Sequence, residues 1–285
     1  MYLDTQLLDT SLEQESWQHQ SQEIGSSTLL YSPRPSTECI FRECVPVSSI
    51  STENCAIDGE TYSLLQHLIS AYKTLPNNSV LLDFAGGTIL YPLFGAVPHA
   101  REVHFCDSLN KNLNAILKWV RKDKDAFNWQ PFVRATLELE HHRPCSTDDI
   151  LRREEMLRQR LTHITRCDMR LDPPLRGAQQ KYDVVISHLN LELTSANRKQ
   201  WRYYLSVLAS LLKPGGAFLI SMRKFAKSYA KNRKSLSTQG LKEADLAWGL
   251  LTAGCNPKSI VIRSIQGNRT THPDGGLLFG IAEAC

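Results

Sequence analysis

Two carboxylates bracket a turn of small residues. Asp83 sits within Val80-Leu81-Leu82-Asp83-Phe84-Ala85-Gly86-Gly87-Thr88, and Asp107 closes Glu102-Val103-His104-Phe105-Cys106-Asp107, 24 residues further on. Glycine in such a turn lets backbone approach a ligand that a Cβ would push away. An acid at that spacing suits a ribose diol, because one carboxylate can accept from both hydroxyls. The turn is no dinucleotide fingerprint: Ala85-Gly86-Gly87-Thr88-Ile89-Leu90 lacks the third glycine, and the Gly-Lys-Ser/Thr of a phosphate loop is absent as well. An acid just before the glycines favours a ligand with a positive end over a phosphate. S-adenosylmethionine (SAM), with its ammonium, sulfonium and ribose, meets these demands. The bland alternative is a βα turn that merely packs tightly.

The elements that must position these residues read as a doubly wound α/β sheet, seven-stranded and mostly parallel, with a C-terminal antiparallel hairpin. Buried strands are expected at 80–84, 102–107, 131–139, 182–187 and 217–222, closed by 259–265 and 276–282. Helical spacing occupies 59–75, 90–97, 109–122, 201–211 and 241–253, with Lys213-Pro214-Gly215-Gly216 as a stop and turn. Ser146 and Thr147 are N-cap candidates ahead of Ile150, Leu157, Leu161 and Ile164, so 140–166 reads as an amphipathic helical insertion with a solvated charged face. Residues 1–30 read as a flexible acidic segment, and 31–285 as a single domain.

Composition narrows the class. The chain has 285 residues, 42% hydrophobic, with a net charge of +4. That is enough for a large core, while no apolar run approaches the roughly 20 residues of a membrane span. The mild charge does not by itself imply nucleic acid. Asp4, Asp9, Glu13, Glu15 and Glu23 precede the first basic residue, Arg34, which fits neither a secretory signal nor a transit peptide. Eight cysteines without a C-x-x-C pair suit reduced thiols in the cytoplasm rather than a disulfide framework or a zinc site.

Several stretches together resemble the class I SAM-dependent methyltransferases, within them the group of nicotinamide, phenylethanolamine and indolethylamine N-methyltransferases and thioether S-methyltransferases. The resemblance runs from Tyr31 onward, through Tyr31-Ser32-Pro33-Arg34, the Asp83 to Gly87 turn with Tyr91, and Asp107 with Asn110-Lys111-Asn112-Leu113. It continues through Lys118-Trp119, Phe127-Asn128-Trp129, Cys167-Asp168-Met169 and Leu211 to Gly216. It implies that Ala85, Gly86 and Gly87 contact the methionine part of SAM, with Tyr91 near its carboxylate. Asp107 would hold the ribose, supported by Asn112. Asp168 would accept from the adenine amino group, and the Met169 backbone would read the ring. His188 takes a position near the cofactor. Read simply as residues, Asp168 could be a loop acid, Tyr91 a core aromatic and His188 a packed histidine.

The departures from the family concern the acceptor. The first loop glycine is Ala85, two lid tyrosines are Ser36 and Phe41, and an acid expected after the fifth strand is Arg223, which opens the basic run to Lys234. Glu192 remains at the acidic position after the fourth strand. A buried ammonium needs a carboxylate, and an arginine fork needs a carboxylate or phosphate. One reading pairs Glu192 with an amine and Arg223 with a carboxylate; the other leaves the basic run as a solvated loop. Glu192 could place an amine or take its proton, and His188 could serve as base for a phenol or thiol. The expectation is a monomeric methyltransferase acting without metal on a small molecule, most often at nitrogen. Sulfur or oxygen acceptors, a protein substrate and a catalytically silent relative remain alternatives. Asp172-Pro173-Pro174-Leu175 lies before the fourth strand and lacks the aromatic of a base-methylating motif, so it reads as a turn.

Overall fold

The computed structural model describes residues 57–171, 173–175, 180–224, 229–231, 234–236, 240–267 and 276–285. The acidic segment 1–30, the Tyr31 to Arg34 stretch, Ser36 and Phe41 lie outside the described residues, as does most of the basic run beyond Lys224.

The chain begins with α1 (Gly59–Tyr72), capped by Asp58, whose carboxylate accepts from Thr61 N at 2.7 Å. Then come β1 (Ser79–Phe84), α2 (Tyr91–Ala96), β2 (Ala100–Asp107) and α3 (Asn110–Arg121). Two further helices, α4 (Gln130–His141) and α5 (Thr147–Arg160), lead into β3 (Leu161–Arg166). After β4 (Tyr182–His188) follow the short α6 (Leu191–Thr194), α7 (Arg198–Ala209) and β5 (Leu212–Lys224). A small pair, β6 (Tyr229–Lys231) and β7 (Lys234–Leu236), precedes α8 (Glu243–Thr252), β8 (Val261–Gln266) and β9 (Gly276–Glu283). The main sheet has seven strands in the order β3-β2-β1-β4-β5-β9-β8. The first five are parallel, while β9 runs antiparallel to both β5 and β8. No helix among the described residues is long and apolar enough to cross a membrane.

Every residue of β1 is buried, as a parallel strand covered on both faces requires. One core, with Leu81, Phe94, Phe105, Trp119 and Phe132, lies under α1 to α5; the other, with Phe84, Trp201, Leu205 and Leu246, lies under α7 and α8. The strand order reverses between β1 and β4. That reversal opens the crevice at the carboxyl edge where α/β sheets bind ligands.

Two sequence expectations are corrected. Residues 131–139 are not a strand but the body of α4. Trp129, Phe132, Val133, Thr136 and Leu137 are buried at i, i+3, i+4 spacing, Pro131 falls in the first turn, and left-handed His142 ends the helix. The third strand is Leu161–Arg166, in the stretch assigned to the helical insertion. Leu161 and Ile164 keep helical i, i+3 spacing, but the helix stops at Arg160 and the chain pairs with the open edge of β2 instead.

The charged face of α5 is not wholly solvated either. Ser146 and Asp149 form a capping box. Arg153 is buried and forks onto Glu140 of α4 at 2.8 and 2.6 Å, with a third bond to the Phe94 carbonyl at 2.7 Å. The Arg158 guanidinium lies 4.1 Å from the centre of the Trp119 ring. Replacing one partner of a buried ion pair strands the other charge, at a cost of about 3–5 kcal/mol, whereas an apolar pair of similar volume is often neutral. Arg153→Met is therefore expected to lower unfolding free energy in urea by about 3 kcal/mol. The double variant Arg153→Met/Glu140→Leu is expected to recover most of it.

Candidate active site

The crevice is built from the turns after β1, β2 and β4. Ala85 adopts a left-handed conformation (φ +57°), and Gly87 does the same (φ +66°). The left-handed region costs an alanine roughly 1 kcal/mol relative to glycine, which is the physical content of the Ala85 departure. Gly86 is required for a different reason than ligand approach. A Cβ there would lie 2.4 Å from the Phe105 ring and 2.9 Å from Asp83 Oδ2.

Asp107 holds this turn in place. Its Oδ2 accepts from Gly87 N at 2.9 Å, and its Oδ1 accepts from Leu109 N at 2.8 Å and Asn112 Nδ2 at 3.0 Å. Burial raises its carboxyl, while the Leu109 and Gly87 N–H groups and Asn112 pull against that rise. Three of its roughly four acceptor positions are filled. That leaves about one for a ligand hydroxyl, not the two assigned from sequence. Asp83 is buried with Oδ1 unpartnered, and burial, reinforced by the Asp107 charge, pushes its carboxyl up to about 8.

The β4 turn is tied to the same place. Asn190 Nδ2 donates to the Ala85 carbonyl at 3.2 Å, and Leu189 just before it is left-handed (φ +49°). Strain in a bulky residue of this kind persists only where surrounding structure over-determines it. His188 lies at the end of β4, with Nε2 2.6 Å from Tyr91 Oη and Nδ1 2.5 Å from Ser221 Oγ. Tyr91 in turn stacks on Phe132. Burial, helped by the Arg223 charge, lowers His188 to about 3, so the ring is neutral and both nitrogens are engaged. A free histidine base, one reading of the sequence, is not what this geometry offers.

The acidic side of the site differs from expectation as well. The Arg223 guanidinium is paired with Glu60 of α1 (2.8 Å), not open to a substrate carboxylate. The Arg223 N–H donates to Glu192 Oε1 at 2.8 Å. Glu60 Oε1 and Glu192 Oε2 are buried without a hydrogen-bond partner among the described residues. Burial pushes Glu192 up to about 7, with the Arg223 N–H and charge opposing the rise. At the far end, Asp168 is gripped by the Arg170 fork at 2.8 and 2.6 Å, beside a buried Met169. Burial opposes its ionisation, but that fork outweighs it and the carboxyl lies below its ordinary range.

Around the crevice, Asp83 Oδ1, Asn190 Oδ1 and Glu192 Oε2 are buried acceptors without a donor among the described residues. Such a set fits a cofactor carrying an ammonium and a sulfonium, and repels a phosphate. Residues 54–284 match the NNMT/PNMT/TEMT family. The chain belongs to that family. It is a SAM-dependent methyltransferase with the class I fold. Mouse indolethylamine N-methyltransferase is 29% identical over 220 residues, covering 76% of this chain and 82% of that protein. Human nicotinamide N-methyltransferase is 32% identical over 172 residues, covering 58% and 63%. A SAM-dependent methyltransferase of Clostridium acetobutylicum superposes with a TM-score of 0.49 at 11% identity, over 87% of this chain and 96% of that one.

Sequence reading missed Glu60, Asn190 and Ser221. Glu60 looked like an ordinary first-turn acid, and nothing local marked it. Asn190 carried a signal, because it ends the Ser187-His188-Leu189-Asn190 turn after β4.

The raised and lowered groups act on stability in opposite directions. Glu192 binds its proton more tightly in the folded chain, so its contribution is present at low pH and is lost as pH rises through about 7. His188 binds its proton less tightly when folded, so its contribution is present above about 6.5 and is lost as pH falls toward about 3. Melting temperature is expected to decline on both the acid and the alkaline side. Glu192→Gln should flatten the decline between pH 5 and pH 8 that scanning calorimetry detects in the wild type.

Proposed function

We propose that this enzyme methylates the nitrogen of a small amine held between Glu192 and Glu60. The observation that carries the reading is a pair of buried carboxylates tied to one residue, Glu60 to the Arg223 guanidinium and Glu192 to the Arg223 backbone N–H, each with an oxygen that has no donor among the described residues. A desolvated carboxylate oxygen is costly until a cation or donor reaches it. An ammonium supplies both. Arg223, already matched to Glu60, then acts as the fixed positive partner that keeps the two acids in register.

Within this reading, Asp83, Ala85, Gly86, Gly87 and Tyr91 hold the methionine end of SAM, and Asp107 with Asn112 holds the ribose. Met169 lines the adenine. Asp168 reaches the adenine amino group once the Arg170 fork lets go of one oxygen. Bound SAM supplies a methyl group on a good leaving group, so the protein's part is alignment and exclusion of water. Glu192, titrating near neutral pH, takes the proton of the arriving ammonium and leaves the lone pair free. The Tyr91–His188–Ser221 chain fixes the wall of the crevice without exchanging protons. Reduced thiols and the small-molecule site support a monomer working in the cytoplasm, apart from nucleic acid and membrane.

Calorimetry with SAM and S-adenosylhomocysteine, on wild type and Asp107→Ala, tests the cofactor half. Micromolar binding that weakens at least tenfold in the variant is expected, of the order a lost charge-assisted hydrogen bond implies. A folded wild type that binds neither would sink the reading and mark a silent relative. The acceptor half is tested by a panel of amines, thiols and phenols. Glu192→Gln should cost kcat/KM for amines by about 100-fold and remove the limb of the pH–rate profile near 7. Equal loss on thiols would move the acceptor away from nitrogen.

A further inference from the structure

A second polar cluster sits near the amino ends of β2 and β3, at the opposite edge of the sheet from Asp107. Glu102 and His104 are two residues apart on β2 and so share a face. His163 of β3 lies directly beside His104 in the parallel register, with ring centres 3.9 Å apart. Glu102 Oε2 approaches His104 Nε2 at 3.4 Å. One ligand atom from each of the three side chains lies within 4.8 Å of the others.

Each histidine has its Nδ1 held by neighbouring polar groups. His104 Nδ1 is engaged by Tyr182 Oη at 3.2 Å and the Gln180 amide at 3.0 Å, and His163 Nδ1 by Thr162 Oγ1 at 2.9 Å. With the Gln180 N–H donating to His104 Nδ1, the His104 Nε2–H faces Glu102; an ion on Nε2 would take the place of that proton, with Nδ1–H then donated to Tyr182 Oη, the outer-shell arrangement that orients ligating histidines. His104 is 7% exposed and cannot simply turn to water, while Glu102 is half-buried and His163 exposed. The face is accessible because the described residues between β3 and β4 form no helix.

We propose that Glu102, His104 and His163 bind a divalent transition-metal ion, with Zn²⁺ the best match. The ligands are His104 Nε2, His163 Nε2 and one Glu102 oxygen, with the fourth position open to solvent. Two imidazoles and a carboxylate are a Zn²⁺ donor set. His104, the ligand nearest Asp107 on β2, lies three positions or roughly 10 Å of extended strand away from it, so the ion takes no part in methyl transfer. It clamps the edge strand β3 to β2. Sequence showed only Glu102-Val103-His104, since His163 lay in a stretch read as helix.

The test is Zn²⁺ titration by calorimetry on the full chain stripped with a chelator, beside Glu102→Gln and His163→Ala. Circular dichroism and melting temperature confirm that both variants fold. One equivalent bound at micromolar or tighter affinity is expected, with each variant weaker by at least about tenfold. A Co²⁺-loaded wild type should show no thiolate charge-transfer bands. A wild type that does not bind, either folded variant keeping wild-type affinity, or thiolate bands in the Co²⁺ spectrum would overturn the proposal.

Discussion

The Asp107 carboxylate is the stitch on which the crevice depends. It binds the β1 turn through Gly87, the β2 turn through Leu109 and the first helical turn of α3 through Asn112. A buried carboxylate is tolerable only because those three donors surround it. They also hold two left-handed residues, Ala85 and Gly87, in a conformation the chain would not otherwise keep. The Asn190 bond to Ala85 adds the β4 turn to the same knot. Three loops at the point where the sheet reverses direction thus form one rigid rim.

That rim is electrically biased. Asp83, Glu60 and Glu192 bring buried acceptor oxygens to it, and only Arg223 among the described residues answers them from within. Neutral groups complete the wall, because burial strips His188 of its charge and keeps Tyr91 protonated. Burial favours the protonated forms of Asp83 and Glu192, and a cationic ligand shifts them toward the ionised form. A methyl donor with a sulfonium and an acceptor amine are ligands of that kind, which ties the electrostatics of the site to the chemistry of the family.

Away from the rim, polar residues serve the packing. Arg153 crosses from α5 to Glu140 of α4 and to the end of α2, and it fixes a three-helix layer over one face of the sheet. Among the described residues, no helix covers the opposite face near β3 in this way. Histidines rather than leucines occupy it, consistent with a surface that meets water or an ion.

Local patterns in the sequence determined the fold class, the glycine turn, Asp107 and six of the seven strands of the main sheet. These features are set by periods of two and 3.6 and by residues with special backbone freedom, and neighbouring residues suffice to read them. Asp83 within its strand and His188 at the end of its own were legible for the same reason, while the place of Tyr91 came from the family resemblance. Only the tertiary structure decided that 131–139 is helix and 161–166 strand: 131–139 satisfies either period, Leu161 and Ile164 keep helical spacing, and the open edge of β2 makes 161–166 the strand. It alone decided that Arg223 faces Glu60, more than 160 positions away, and that Asp168 faces Arg170. An ionic partner is chosen by the free energy of burial, and burial exists only once distant segments have packed.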